Sequence, residues 1–249
     1  MDRMIFVAMS GAKESMTAQA INTNNLANAN TNGFRADFHN VLSQQVTGPG
    51  VPSRAYAMVQ QGIIDFTPGS VIATGRDLDV AINGAGWFAV QAADGSEAYS
   101  RSGNFVVDTL GRLTDRNGHP VIGNAGPISI PPYSKLQIAD DGTISILPLG
   151  QSGESLAIID RLKMVNPPKS EMVKGADGLM RIDNPDGTEA PEADGSIRVF
   201  AGSLEGSNVN TVGALVKMIE LARQYERHVK LMKTAEENDQ AAAKMIQMS

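Results

Sequence analysis

The chain has 249 residues, a formal net charge of −6, a pI near 5.1 and no cysteine. The missing cysteine excludes disulfides, thiolate nucleophiles and cysteine zinc sites. An acidic chain without a cluster of Lys and Arg argues against nucleic-acid binding. We expect neither a cleavable signal peptide nor a membrane-spanning helix, since the N-terminus mixes apolar with polar and charged side chains and no stretch approaches the required apolar length.

The first element is a predicted amphipathic helix from Asp2 to about Asn28. Its apolar face steps by three and four residues, as one side of a helix requires. Small side chains bury little area each, so this helix should depend on packing for its stability. The face consists of Ile5, Ala8, Ala12, Met16, Gln19, Thr23 and Leu26.

An asparagine-rich run, residues 24–34, follows directly on the helix. Asparagine and glycine tolerate left-handed conformations, so Asn32 and Gly33 predict a helix C-cap, with Phe34 folding back onto the last turn. The amide side chains have two possible roles, hydrogen bonding between subunits and ordinary helix capping.

Residues 37–76 have an irregular pattern and predict an extended connector. Breaks at Gly48, Pro49, Gly50 and Pro52 interrupt any regular period in this segment.

The sequence pattern of residues 77–205 predicts an antiparallel β domain. Alternating runs predict half-buried strands at Leu78, Val80, Ile82; Phe105, Val107; Ile128, Ile130; Leu136, Ile138; Ile144, Ile146; and Ile197, Val199. Tight turns are predicted at Asn83-Gly84, Asp94-Gly95, Asn117-Gly118, Asp141-Gly142, Asp177-Gly178, Asp186-Gly187 and Asp194-Gly195.

The helical period returns from Asn208 and continues for about 40 residues. Its predicted seam consists of Leu215, Met218, Ala222, Tyr225, Val229, Met232, Glu236, Asp239, Ala243 and Ile246. Glu236 and Asp239 interrupt the apolar seam, so they could set register or oligomeric state, or could simply be solvent-exposed.

These elements together predict an α+β fold, with a discontinuous coiled-coil-like domain of N- and C-terminal helices plus a central all-β antiparallel domain. The predicted boundaries are 1–36 pairing with 206–249, a connector at 37–76 and the β domain at 77–205. An apolar stripe needs a partner, so each terminal helix can pair with the other and leave any remaining stripe for a neighbouring subunit. This organisation favours assembly over catalysis.

Sites for ligands or chemistry are weakly supported. His39, His119 and His228 lack ligand spacing, so no metal site is predicted. Asp77 and Asp79 share one strand face, where a glycosidase pair is imaginable but a solvated face is commoner. We therefore expect no catalytic residue, no metal and no cofactor.

Two further motifs have simple structural interpretations. Asn83-Gly84-Ala85-Gly86 favours a hairpin over a dinucleotide loop, because no helix with a third glycine follows. Trp87, the only tryptophan, favours packing in the β core over a ligand platform.

Several stretches resemble one protein family. Residues 24–35, ending in Gly33-Phe34-Arg35, closely resemble the signature of bacterial flagellar rod and hook proteins. The family's closing helix is similar to Asn208-Val209-Asn210, Met218-Ile219 and Tyr225-Glu226 with Lys230. Resemblance to its proximal-rod members rests on Met1-Asp2-Arg3 with Val7-Ala8-Met9, residues 77–84 with Trp87-Phe88, and residues 235–240.

The resemblance implies an axial subunit of the flagellar basal body, with the terminal helices in an inner tube around the export channel and the β domain facing the periplasm. It implies export through the flagellar type III apparatus without a cleaved signal peptide. The implied partners are copies of the chain, other rod and hook-family axial subunits and the export apparatus, with no nucleic acid and no small-molecule substrate.

A distal-rod or hook-like subunit is the alternative within this class. A secreted β-domain enzyme or carbohydrate-binding module with accessory helices is the alternative in a different class. Under the assembly hypothesis, the residues expected to pack subunits are Ile5, Ala12, Met16, Asn24, Asn25, Leu26, Asn28, Gly33, Phe34, Leu215, Met218, Ala222, Tyr225, Val229, Met232, Ala243 and Ile246.

Overall fold

A computed structural model describes residues 2–45, 55–150, 156–183 and 190–247. The chain divides into two compact units, each assembled from separated segments. The helical unit comprises Met1–Ala29, Ala36–Asp65 and Val209–Ser249, and the β unit comprises Asn30–Arg35 and Phe66–Asn208. Terminal helices and an antiparallel β middle give the predicted α+β class.

The helical unit contains two helices and a β-hairpin: α1 (Asp2–Ala27), β1 (Asp37–Gln45), β2 (Ala55–Ile64) and α2 (Thr211–Gln247). Helix α1 packs against α2 and against both strands. Asn210 begins α2 as its N-cap, because its side-chain oxygen accepts the backbone N–H of Gly213 at 3.0 Å. Neither helix, within the part of the chain described, has the length and apolar character needed to cross a membrane.

The hairpin differs from the predicted extended connector. Strands β1 and β2 are antiparallel, with Asp37 opposite Ile64 and an irregularity between Phe38 and Asn40. The sequence pattern missed them because polar residues interrupt the alternation, while their position against α1 is a tertiary effect. Residues 46–54, which contain the predicted breaks at Gly48 to Pro52, lie outside the described residues.

The described part of the β unit consists of short strands and one 3₁₀ turn. All of its strand pairs are antiparallel, as predicted. The strands are β3 (Val71–Ala73), β4 (Val80–Asn83), β5 (Trp87–Gln91), β6 (Glu97–Ser100), β7 (Val106–Val107), β8 (Leu113–Thr114), β9 (Ile122–Gly123), β10 (Gly126–Pro127), β11 (Tyr133–Ile138), β12 (Thr143–Pro148), β13 (Ala157–Arg161), β14 (Met164–Val165), β15 (Met172–Lys174), β16 (Met180–Ile182), β17 (Arg198–Ala201) and β18 (Ser203–Glu205), with the 3₁₀ turn at Lys169–Glu171.

The largest sheet has the order β14-β5-β6-β16-β15, and a second sheet has the order β11-β12-β13. Two-stranded pairs join β4 with β17, β3 with β18, β7 with β8, and β9 with β10. The alternating residues predicted from sequence all lie in or against one hydrophobic core, where Phe88 and Phe105 meet edge to face at 5.3 Å. The alternation is therefore confirmed as the source of the core.

The predicted hairpin at Asn83-Gly84 is wrong, although the predicted bend is present. Gly84 has φ +90° and Gly86 has φ +131°. However, β4 pairs with β17 and β5 pairs with β6, so the glycines join two different sheets. The predicted turn at Asp186-Gly187 lies outside the described residues.

Candidate assembly interface

Small residues form the buried side of α1 in its contact with α2. Ala8, Ala12 and Ser15 are buried on α1, spaced by four and three residues. The Asn22 side chain reaches across and donates to the Ala214 carbonyl at 2.8 Å. Small side chains let the two helices approach closely, so close packing holds this pair despite the small area that each residue buries.

The buried face of α2 shares Met218, Tyr225 and Met232 with the predicted seam and departs from it at other positions. Ala214, Leu221 and Ala235 are buried, whereas the predicted Leu215 and Val229 are 50% and 41% exposed. Half-buried residues complete the observed 4-3 spacing at Met218, Tyr225, His228 and Met232. The buried and the outward face of α2 follow the same 3-4 spacing. The sequence prediction preferred the more hydrophobic residue, and it therefore chose the outward Leu215 instead of its small buried neighbour Ala214.

Helix α1 has a similar displacement. Met16, predicted for the seam, is 57% exposed, and Ser15 takes its place. Thr23 is exposed, and Asn22 contacts α2 instead. The predicted Ile5 is half-buried and Ala12 is buried on the seam side.

Among the described side chains of the helical unit, two groups of apolar residues are exposed. We call Phe6, Met9 and Met16 the α1 outer stripe; they lie on one side of α1 and are 49%, 50% and 57% exposed. The α2 outer patch has members that are 50–70% exposed: Val212, Leu215, Val216 and Ile219. Exposed apolar patches on helices are typical of protein–protein interaction sites.

The asparagine run is used for contacts within the chain. Asn25 accepts the backbone N–H of Asp37 at 2.9 Å and donates to the Asp37 carbonyl at 2.8 Å, which ties α1 to the start of the hairpin. Asn28 donates from its side chain to the Asn24 carbonyl at 2.9 Å. The Asn24 side chain is exposed.

The end of this run does not cap α1 as predicted. Helix α1 ends at Ala27, and Gly33 belongs to the β unit, where its N–H donates to the Glu205 carbonyl at 2.8 Å. Gly33 has φ +70°, and a Cβ there would meet the backbone of Arg101 and Ser102. Within the β unit, the centroid of the Phe34 ring lies 4.0 Å from the Lys174 Nζ.

A buried charge cluster, which we call the Glu205 cluster, consists of Arg35, Arg101 and Glu205. The Glu205 carboxylate is 2.6 Å from Arg35 Nη2 and 3.0 Å from Arg101 Nη1. It also accepts the Gly69 N–H at 2.9 Å, while Arg35 donates to the Thr67 carbonyl at 2.7 Å. The Glu205 carboxylate therefore ties together four separate segments of the β unit, those that contain Arg35, Gly69, Arg101 and Glu205 itself.

Trp87 covers this cluster. Its ring centroid lies 6.0 Å from the Arg35 guanidinium carbon and 5.5 Å from that of Arg101, and Phe66 packs edge to face against it. Burial is the main cause that lowers the pKa of Arg101, against the Glu205 carboxylate, which raises it. The predicted burial of Trp87 is confirmed, but its charged neighbours carry no local sequence signal.

The acidic and histidine candidates occupy unrelated positions. Asp77 is exposed and Asp79 is buried, so the predicted shared solvated face is wrong. Asp79 accepts the Thr74 hydroxyl at 2.6 Å, which is a structural contact. Among the residues that the structure describes, no group of three or more His, Asp or Glu could hold a metal ion.

The remaining residues predicted for the helical seam include both half-buried and exposed side chains. Leu26 and Ala222 are half-buried, and Ala243 is exposed. Glu236 is exposed and Asp239 is half-buried, so Glu236 fits simple solvent exposure within one copy. The side chain of Ile246 lies outside the described residues.

Three family models match parts of the chain. They are described as flagella basal body rod protein (residues 5–35), flagellar hook protein FlgE/F/G D1 domain (residues 81–146) and flagellar basal body rod FlgEFG protein C-terminal (residues 201–245). Each matched segment contains one charged member of the Glu205 cluster.

Curated relatives match over the full length. The chain is 42% identical to the flagellar basal-body rod protein FlgF of Escherichia coli and 41% identical to that of Salmonella typhimurium, covering 100% of each chain. It is also 33% identical to the flagellar basal-body rod protein FlgG of Buchnera aphidicola, with 95% of this chain and 97% of that protein aligned.

Proposed function

Because this chain belongs to the flagellar basal-body rod protein family and is a FlgF-like structural subunit of the flagellar rod, we propose that its paired terminal helices are the module that joins neighbouring subunits. The observation that carries this proposal is the pair of exposed apolar surfaces on the helical unit, the α1 outer stripe and the α2 outer patch.

The two surfaces differ from the α1–α2 seam in a way that suits this role. The seam is lined by small residues on α1 and closes within one copy, while Phe6, Met16 and Ile219 point large apolar side chains to solvent. Covering such side chains is favourable by about 1.5–3 kcal/mol each. A neighbouring subunit can supply that cover, so copies should associate through their helical units.

In the proposed assembly, the helices form a coiled-coil-like inner tube around the export channel and the β units lie outside it in the periplasm. Copies of this chain and other rod and hook-family subunits are the partners. The proposed subunit-packing residues include the outward Met16, Leu215, Val229 and Ala243, with exposed Asn24 available for hydrogen bonds between subunits. The rod would transmit torque, with this chain in its proximal part after export by the type III apparatus. No catalytic step is part of this function.

Deletion of residues 235–249 tests the proposal. It removes the buried Ala235 and the last third of α2 but no residue of the β unit. We expect the fluorescence of Trp87, which reports on the β unit, to keep its unfolding midpoint in urea. A strain carrying only this variant should lose swimming in soft agar.

Substitution Glu236→Ala is the control, because that side chain is exposed and the helix keeps its length. It should swim normally. Swimming by the deletion strain would overturn the proposed role of the terminal helices.

A further inference from the structure

Gly11 lies in the middle of α1, where the backbone conformation does not require glycine. Its φ is not among the positive values that other glycines of the chain adopt. A glycine inside a helix is destabilising relative to alanine. Something other than backbone geometry must therefore account for this residue in the structure.

The space above Gly11 is filled by the imidazole of His228 from α2. A Cβ at Gly11 would lie 2.8 Å from His228 Nε2 and 2.9 Å from Nδ1, and closer still to Cε1. Real Cβ atoms essentially never approach other atoms so closely, so any larger residue would displace the ring. Because Gly11 has no side chain, it leaves a gap that the imidazole occupies.

The ring is held in this gap by shape. Its Nδ1 is buried and has no hydrogen-bond partner among the described residues. His228 also occupies a position of the observed 4-3 seam on α2, between Tyr225 and Met232. If hydrogen bonding were the role of His228, its buried Nδ1 would be expected to have a partner.

The other buried residues on the α1 side of the seam offer little that would fix one axial position. Ala8, Ala12 and Ser15 present small, similar side chains, over which another helix can slide by a heptad with little loss. Asn22 donates to a backbone carbonyl, and a helix repeats such carbonyls along its length. Gly11 is the single glycine in the described helix α1, and the group that occupies the space beside it is the large His228 ring.

We propose that His228 and Gly11 form a steric lock that sets the axial register of α1 on α2. The lock determines which part of the α1 outer stripe stands beside the α2 outer patch. His228 and Gly11 are therefore positioning residues for assembly, and this role rests on the proposed function of the paired helices.

Cysteine cross-linking can read the register directly in the full-length chain, because the chain has no cysteine of its own. Interpolation between the contacts of Gly11 with His228 and Asn22 with Ala214 places Ser15 level with residues 222–223, of which Ala222 is half-buried. The pair Ser15→Cys with Ala222→Cys therefore reports the locked register. Ser15→Cys with Val229→Cys reports a slide of one heptad.

When the two cysteines are the only changes, we expect a disulfide under mild oxidation for Ser15→Cys with Ala222→Cys but not for Ser15→Cys with Val229→Cys. His228→Ala should let both pairs form, and Gly11→Ala should reduce the locked pair by about tenfold, as expected for overpacking a closed contact. Gly11→Ala with His228→Ala should recover the locked pair relative to Gly11→Ala alone, because the clash is gone. Soft-agar swimming should fall for each single variant.

Gly213→Ala is the matched control, since a Cβ there would have an ordinary 3.4 Å contact with Asn210. It should leave both cross-links and swimming unchanged. The lock is refuted if His228→Ala yields only the locked pair, or if Gly11→Ala behaves like Gly213→Ala. Swimming by the 235–249 deletion strain would instead overturn the proposed function, while the cross-linking result from purified protein would stand.

Discussion

Replacing Glu205 with glutamine is expected to lower the free energy of unfolding of the β unit by about 3–5 kcal/mol. Glu205 is 1% exposed and, among the described residues, is the only carboxylate in direct contact with the two buried guanidinium groups of Arg35 and Arg101. Its removal leaves two buried cations without a counter-charge, which is far more costly than losing one hydrogen bond.

Urea unfolding followed by tryptophan fluorescence measures this effect, because Trp87 is the only tryptophan and covers the cluster. The midpoint should fall strongly with the slope unchanged. Arg112→Gln is the control within the same unit: it also removes one member of an ion pair, but the Arg112 side chain is 50% exposed. The control should move the midpoint little. Equal small shifts for both variants would show that the Glu205 cluster does not hold the β unit together.

Substitution Ile219→Asp should abolish assembly while leaving the free subunit folded. Ile219 is 56% exposed in the α2 outer patch, so a carboxylate there stays hydrated in one copy. If a neighbouring subunit covers the patch, that carboxylate is buried without a partner at a cost of several kcal/mol. Such a cost reduces association more than about 100-fold.

Circular dichroism and melting of the purified protein should be close to those of the unchanged chain, whereas basal bodies should lack the variant and cells should not swim. Gln224→Asp is the matched control, because it adds the same charge at an exposed position among the polar residues Lys217, Arg223 and Arg227. That control should assemble. A normal rod built with Ile219→Asp would remove the α2 outer patch from the interface.

The sequence predicted the β core and the existence of the two helices because their signals are local. Alternation at Ile144 and Ile146, or at Leu136 and Ile138, has one structural interpretation, and all four residues are buried. The seam of α2 was ambiguous, since Leu215 and Ala214 both continue the same spacing from Met218. The choice between them depends on how closely α1 approaches, which is a tertiary property.

The Glu205 cluster had no local signal at all. Its charged residues lie far apart in sequence, and charged side chains are normally expected at the surface. Gly33-Phe34-Arg35 was recognised as part of a family signature, but its contacts with Glu205 and Lys174 required the fold. The Gly11 recess was equally hidden, because a single glycine in a helix pattern predicts only a small loss of helix stability.

Maleimide labelling of single cysteines most directly tests whether neighbouring subunits cover the outer surfaces of the helical unit. Met16→Cys and Ile219→Cys, each the only cysteine in the chain, should react readily in the free protein because both positions are exposed. In isolated basal bodies both should be protected, and labelling should return when the basal bodies are dissociated in acid. Equal reactivity of both cysteines before and after assembly would contradict the account.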